Sequence, residues 1–322
     1  MAMDKTIRDF PKQFEYEPAI ENAGKLKPKN KFIVCGMGGS HLAADLLKVY
    51  NPSLDLIIHS DYGLPALAAE ELNERLVIVN SYSGNTEEAM DSFCSALEKK
   101  LSTVAVSTGG KLLEQAEAHG VPFVRIPDTG IQPRSATGFS LRALLKLMGD
   151  EQALADTQKL SKILGADSED VGQNLASKLE GHIPIIYAPS RNQALAQNWK
   201  VRFNETAKIP AFYNVFPELN HNEMTGFDIA EKTKSLSEKF SLIFLRDPDD
   251  DQRIVKRMDM TKKILESRGL GVEEVKMPGA SIWHKIFATL LIADWTAYYL
   301  ALHYGVDPKN VPMVEEFKKL IA

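Results

Sequence analysis

Residues 76–90, LVIVNSYSGNTEEAM, carry the change of chemistry that decides the fold. An apolar, β-branched run ends at Asn80, a turn rich in hydroxyls follows, and Glu87 and Glu88 open an acidic stretch. A short apolar run closed by a turn reads as a buried strand, and acidic residues after a Ser/Thr/Asn cluster read as a helix start. In the turn, Ser81, Ser83 and Thr86 offer hydroxyls and Gly84 allows a ligand to approach the backbone. Asn85 and Glu88, three residues apart, have the spacing of a capping box.

The same grammar extends in both directions. Upstream, after a helical lead-in over 6–22 interrupted by Pro11 and Pro18, a strand at 32–35 runs into GMGGS (36–40) and a helix over 41–50. Strands at 54–59, 75–79, 103–107 and 121–126 then alternate with helices beginning at Pro65 and over 87–99 and 111–119. Strands alternating with helices of about ten residues predict a parallel, doubly wound sheet. Residues 139–180 hold three helical segments and no strand, so a domain boundary is expected at 149/150. The second half repeats the logic with strands at 183–188, 241–245 and 272–277, helices over 192–208 and 252–268, and a long loop between 208 and 241. A helix over 281–304, stopped by Gly305 and Pro308, and a terminal helix over 311–322 complete the chain. The expected fold class is therefore α/β: two tandem doubly wound parallel sheets, over 1–149 and 150–322, with helices on both faces.

Composition limits the function. The 322 residues, 44% apolar and 25% charged, can bury a sizeable core. A net charge of −5 without a long basic run leaves no electrostatic footprint for nucleic acid, so an anionic ligand must be met by local geometry. Cys35 and Cys94 have neither metal-site spacing nor a disulfide framework, and both are expected to be buried and structural. The start, MAMDKTIRDF, lacks an apolar signal core, which points to the cytoplasm. The most apolar segment, 286–302, contains Asp294, so a core helix is expected there and not a membrane span.

Two turns are candidate ligand sites. In GMGGS, Gly36 and Gly38 resemble the start of a dinucleotide fingerprint, but His41 stands where the third glycine would permit close helix packing. A turn serving chain geometry alone is one alternative. The preferred reading has the amides of Gly38 and Gly39 and the Ser40 hydroxyl lining a ligand at the strand's carboxyl end. The SYSGNT turn is more specific, because Ser81, Ser83 and Thr86 sit where a helix dipole and free amides attract an anion. It has no lysine, unlike a P-loop, and suits one sugar phosphate better than a triphosphate with its magnesium. The plainer alternative is a polar loop making only Asx and Ser turns.

Taken together, GMGGS, NSYSGNTEE and PRSATG resemble a sugar isomerase (SIS) domain of the bifunctional phosphoglucose/phosphomannose isomerase family. The helix NQALAQNWKVRFNETAKIPAF, the loop NVFPELNHNEMTGF and the ending ADWTAYYLALHYGVDP with FKKL are similar to that family's catalytic segment and C-terminus, so the resemblance spans nearly the whole chain. It implies cofactor-free and metal-free interconversion of glucose 6-phosphate and mannose 6-phosphate with fructose 6-phosphate through a cis-enediolate. It also implies a homodimer with shared active sites and a C-terminal helix packing back on the active site.

Such a reaction needs a base to move a proton between C1 and C2, groups to open the ring, and a cation near the developing oxyanion. By the resemblance, Glu205 in NET is the base and His221 in ELNHNE is the ring-opening histidine, reaching the site from the neighbouring subunit. Lys318, with Lys319 as the alternative one place on, assists ring opening, and Arg134 in PRSATG steadies the enediolate. Taken singly, a helical glutamate is usually a surface residue and an arginine near a boundary a salt-bridge partner. Two departures bear on specificity. Val311 and Met313 leave no hydroxyl where the family has a threonine beside the terminal helix, and His41 replaces a small residue beside the phosphate turn. A sugar-phosphate-binding SIS regulator would differ by a partner-binding or helix-turn-helix segment, and an amidotransferase-type isomerase by a glutaminase domain; neither is visible in the sequence.

Overall fold

Central strands that are apolar along their whole length require helices on both faces of each sheet. The computed structural model, which describes residues 2–165 and 167–321, has this arrangement twice. The chain opens with α1 (Met3–Asp9) and a 3-10 turn at Phe10–Glu15. It forms two compact units: Arg8–Ile163, and Leu164 onward together with Ala2–Ile7.

In the first unit, β1 (Phe32–Cys35), α2 (Leu42–Tyr50), β2 (Leu56–His59), α3 (Ala69–Asn73), β3 (Leu76–Asn80), α4 (Glu87–Glu98), β4 (Thr103–Ser107), α5 (Gly110–Ala118) and β5 (Phe123–Arg125) follow in order. They form a parallel sheet in the order β2-β1-β3-β4-β5. Every residue of β1, β3 and β4 is buried, whereas the edge strands β2 and β5 are partly open. Strand order reverses between β1 and β3, and at such a switch point the two carboxyl-terminal turns diverge to leave a crevice. GMGGS leaves β1 and SYSGNT leaves β3, so the topology alone puts both turns at that crevice.

The unit closes with α6 (Thr137–Met148), α7 (Glu151–Gln158) and α8 (Leu160–Ile163). The boundary therefore lies at 163/164, not at 149/150. The reason is Arg142 on α6, only 4% exposed, whose Nη1 donates to Leu154 O at 2.9 Å and Thr157 Oγ1 at 3.0 Å on α7. Asp150 caps α7 through Ala153 N at 2.9 Å, so Gly149 marks a bend within the unit.

The second unit contains α9 (Ser168–Leu179), β6 (Ile183–Pro189), α10 (Gln193–Arg202), β7 (Phe212–Phe216), α11 (Lys234–Ser237), β8 (Phe240–Arg246), α12 (Gln252–Ser267), β9 (Gly271–Lys276), α13 (Ile282–His303) and α14 (Pro312–Ile321). Its parallel sheet has the order β7-β6-β8-β9. Strand β7 lies inside the span expected to be a long loop. As an edge strand flanked by Pro210 and Pro217, with only Phe216 buried, it shows no apolar run. Helix α13 is long and apolar enough to cross a membrane, but 78% of its most apolar window is buried in the unit, as a core helix. Gly172 on α9 permits that packing: a β-carbon there would lie 2.5 Å from Trp295 Cβ. Helix α14, expected to pack back on the active site, buries none of its residues within this chain.

The one charge in the middle of α13 has a partner. Asp294 Oδ1 stands 2.9 Å from Nε of Arg202, whose side chain is fully buried at the end of α10. Replacing Asp294 with Ala leaves that guanidinium without its carboxylate and is expected to cost about 3–5 kcal/mol. The measurement is the urea midpoint, which falls while the slope of the transition stays the same.

Candidate functional site

The first unit joins its two turns by close backbone approach. A β-carbon on Gly36 would stand 2.6 Å from Asn80 O, so only glycine lets the end of β1 lie against the end of β3. Asn80 Nδ2 donates to Ser40 O at 2.7 Å, and Tyr82 N donates to Ser40 Oγ at 3.0 Å. Ser81 Oγ and Thr86 Oγ1 are 2.9 Å apart, and Gly84 N donates to Ser81 Oγ at 3.2 Å.

These bonds leave hydrogens to give. The Ser40 hydroxyl accepts from an amide and keeps its own O–H. One of the two O–H groups in the Ser81–Thr86 pair is used between them, and the other remains. Ser83 is exposed at the tip, where Oγ accepts from Asn85 N at 3.3 Å. Thr86 is the N-cap of α4 but makes no side-chain cap, so the amides of the first turn stay outward. Hydroxyl hydrogens and a helix N-terminus converging on one crevice suit a compact oxyanion.

The expected capping box is not formed. Asn85 Oδ1 instead accepts from Lys111 N at 3.2 Å in the first turn of α5, and Asn85 Nδ2 donates to Ser83 O at 3.1 Å. A neighbouring helix start, invisible in local sequence, competes for this side chain. Cys94 is exposed, contrary to expectation. Cys35 is buried, and burial pushes its thiol up to about 12, so it stays protonated.

Arg134 joins the same place through the backbone. A β-carbon on Gly39 would lie 2.6 Å from Arg134 N and 2.7 Å from Pro133 C, so the glycine turn rests on the 3-10 turn Pro133–Ser135. The Arg134 side chain is 1% exposed, a depth at which a guanidinium acts through a defined geometry. Gln13, which carries no sequence signal, holds this segment: Nε2 donates to Ser135 O at 2.6 Å, and Oε1 accepts from Gly138 N at 3.0 Å and Phe139 N at 3.3 Å. His41 is held along α2, its Nδ1 being 2.6 Å from Asp45 Oδ2 one turn on.

In the second unit, Glu205 lies in a π-helical turn, Phe203–Ala207, that continues α10. Turns of this kind within helices are frequent at functional positions. Glu205 is half-buried, and the turn is closed by Lys208 in the left-handed region at φ 58° and by Asn204 Nδ2 donating to Ile209 O at 3.0 Å. His221 is exposed at the end of the 3-10 turn Glu218–His221. Lys318 is exposed on α14, 3.0 Å from Glu315 Oε1, and Lys319 is also exposed. Among the described residues, neither His221 nor Lys318 hydrogen-bonds Glu205.

The matching switch point of the second sheet is filled by charges. Arg191, after β6, meets Asp247 Oδ2 at 2.5 Å and Asp250 Oδ1 at 3.1 Å after β8, and Lys285 Nζ meets Asp247 Oδ1 at 2.9 Å and also Asp249. Burial alone would raise Asp247, but the Asp249 amide and the two cations hold it below its ordinary value. Internal ion pairs occupy the position that hydroxyls occupy in the first unit.

Known proteins share both the sequence and the architecture. A family model described as the bacterial phospho-glucose isomerase C-terminal SIS domain matches residues 168–321. The chain is 33% identical over 320 residues to the bifunctional phosphoglucose/phosphomannose isomerase of Aquifex aeolicus, covering 98% of this chain and 97% of that one. It is 33% identical over 342 residues to the protein of the same name from Caldicellulosiruptor bescii, with 99% of each chain covered. Among solved structures, a glucose-6-phosphate isomerase like protein from Thermus thermophilus shares the fold at a TM-score of 0.60 and 22% identity, over 95% of this chain and 93% of that one.

Gly84 is the most demanding position in the cradle: its φ is +70°, and a β-carbon would lie 1.9 Å from Gly109 O. Gly84→Ala is expected to cost about 3 kcal/mol or more through strain and overpacking, seen as a lower melting temperature.

Proposed function

The chain belongs to the bifunctional phosphoglucose/phosphomannose isomerase family, and we propose that it interconverts glucose 6-phosphate and mannose 6-phosphate with fructose 6-phosphate. The observation that carries this reading is the near full-length likeness to relatives of that name. The hydroxyl-lined crevice at the first unit's switch point supports it by supplying a handle for one phosphate.

The chemistry follows from the residues. Ser40, Ser81, Ser83 and Thr86, with the amides of Gly38, Gly39 and the α4 N-terminus, hold the phosphate. His221 and Lys318 assist ring opening. Glu205 removes a proton from C2 of the open aldose and returns it to C1, the hydroxyl proton passes from O2 to O1, and Arg134 steadies the charge that develops on the enediolate oxygen. Glucose and mannose 6-phosphates differ only at C2, whose stereochemistry is lost in the enediolate, so they share one intermediate; one base serves both epimers when the C1–C2 end turns about the C2–C3 bond to present its opposite face. No step calls for a metal or a redox cofactor.

The working form is a homodimer with shared active sites, in the cytoplasm. Support for the dimer comes from α14, where Met313, Val314, Phe317, Leu320 and Ile321 form an exposed apolar stripe at helical spacing. Phe317→Asp is expected to shift sedimentation from dimer to monomer with unchanged circular dichroism, since the side chain is exposed in the single chain.

Two variants separate anchoring from chemistry. Glu205→Gln is expected to lower kcat by about 10²–10⁴-fold on each hexose phosphate while substrate binding persists. Ser83→Ala is expected to raise KM with kcat nearly unchanged. Full turnover by Glu205→Gln would remove the glutamate from the role of base.

A further inference from the structure

The loop that carries His221 is anchored on both sides of that residue. Upstream, Leu219 is fully buried in the second unit's core, and Asn220 Nδ2 donates to Thr261 Oγ1 on α12 at 2.8 Å. Downstream, Asn222 bonds Glu218 at 2.9 Å and accepts from Glu223 N. Glu223 turns inward and accepts from the hydroxyl of Tyr187 and from the side-chain amide of Asn214. The side chain of His221 alone in ELNHNE, among the described residues, has neither a hydrogen bond nor a place in the core.

The Glu223 clamp is built by strand register. Tyr187 on β6 and Asn214 on β7 are direct partners in the parallel ladder, so their side chains stand side by side on one face and both reach the same carboxylate. Tyr187 is 1% exposed, and its ring packs edge-on against Phe216 at 6.0 Å between centroids and tilted against Phe244 at 5.7 Å, which fixes where its hydroxyl points. Bonds from neutral donors to an ionised carboxylate are short and strong, and here they tie a loop of short 3-10 turns to the two strands beneath it.

We propose that Glu223 is the positioning residue that aims His221, holding the backbone two places from it so that the imidazole is presented in one orientation. This rests on the ring-opening role proposed for His221. Glu223 touches no reacting atom and acts through the histidine, with Tyr187 and Asn214 as its footing.

A double-mutant cycle on the full-length protein tests it, with hexose phosphate turnover as the assay. Glu223→Ala is expected to lower kcat by about 10–100-fold with KM within about threefold, the pattern of a lost transition-state interaction. Glu223→Gln, whose carbonyl still accepts from Asn214 while its amide donates to the Tyr187 oxygen, is expected to restore most of the rate. In a His221→Ala background, which keeps a residual rate because sugar rings open slowly in water, Glu223→Ala is expected to have less than about a threefold effect, since residues acting as a unit are not additive. A loss of the same size in both backgrounds would overturn the proposal and leave Glu223 a purely structural residue. Tyr187→Phe is the second variant: it removes one donor, keeps the packed ring, and is expected to show the same dependence on His221. If the wild-type protein turns over no hexose phosphate, the isomerase reading fails, an outcome distinct from additive losses in an active enzyme.

Discussion

Close contact between the ends of β1 and β3 is the constraint on which the rest of the first unit depends. Gly36 has no room for a β-carbon beneath the Asn80 carbonyl, and Gly39 has none against the backbone of Pro133 and Arg134. Three segments far apart in sequence are thereby held within van der Waals distance at one crevice. Glycine is needed at each approach because the contacts are backbone to backbone, where no rotamer change can relieve a clash. With the backbone so placed, Ser40 can accept from Tyr82 N and still have a hydrogen to give.

The second unit repeats the topology and diverges in chemistry. Its switch point holds Arg191, Lys285, Asp247 and Asp250 in mutual ion pairs. The buried carboxylates of Asp247 and Asp250 engage both cations, the partly exposed Arg191 and the buried Lys285, so charge pairs take the place that hydroxyls hold in the first unit. Two devices of the second unit aim side chains outward. The Arg202–Asp294 pair pins the end of α10, beyond which the π-helical turn widens to carry Glu205, and the Tyr187–Asn214 register clamps Glu223 below His221.

Most of the architecture was legible because parallel sheets buried on both faces demand largely apolar strands, and β1, β3, β4, β6 and β8 are each built around such a run. What escaped lacked that signature. Strand β7 exposes one side of an edge and carries Asn214, so its pattern is that of a loop. The division at 163/164 follows from where the Arg142 donors find acceptors, a matter of partners distant in sequence. Asn85 has the spacing of a capping box, yet Lys111 N offers it a bond that no local window contains. Cys94 is apolar by type but lies on the outward side of α4.

The candidate site divides along the same line. Hydroxyl and glycine residues in recognisable turns were enough to single out Ser40, Ser81, Ser83 and Thr86 as candidates, because short-range order is encoded locally, whereas Glu205 and His221 were singled out only by the family resemblance. Which hydroxyl keeps a hydrogen to donate, why Gln13 matters to Arg134, and how Glu223 is held by two strands were decided only by tertiary structure. Each depends on groups that meet through register and topology across tens of residues, and a hydrogen bond exists only where both partners arrive.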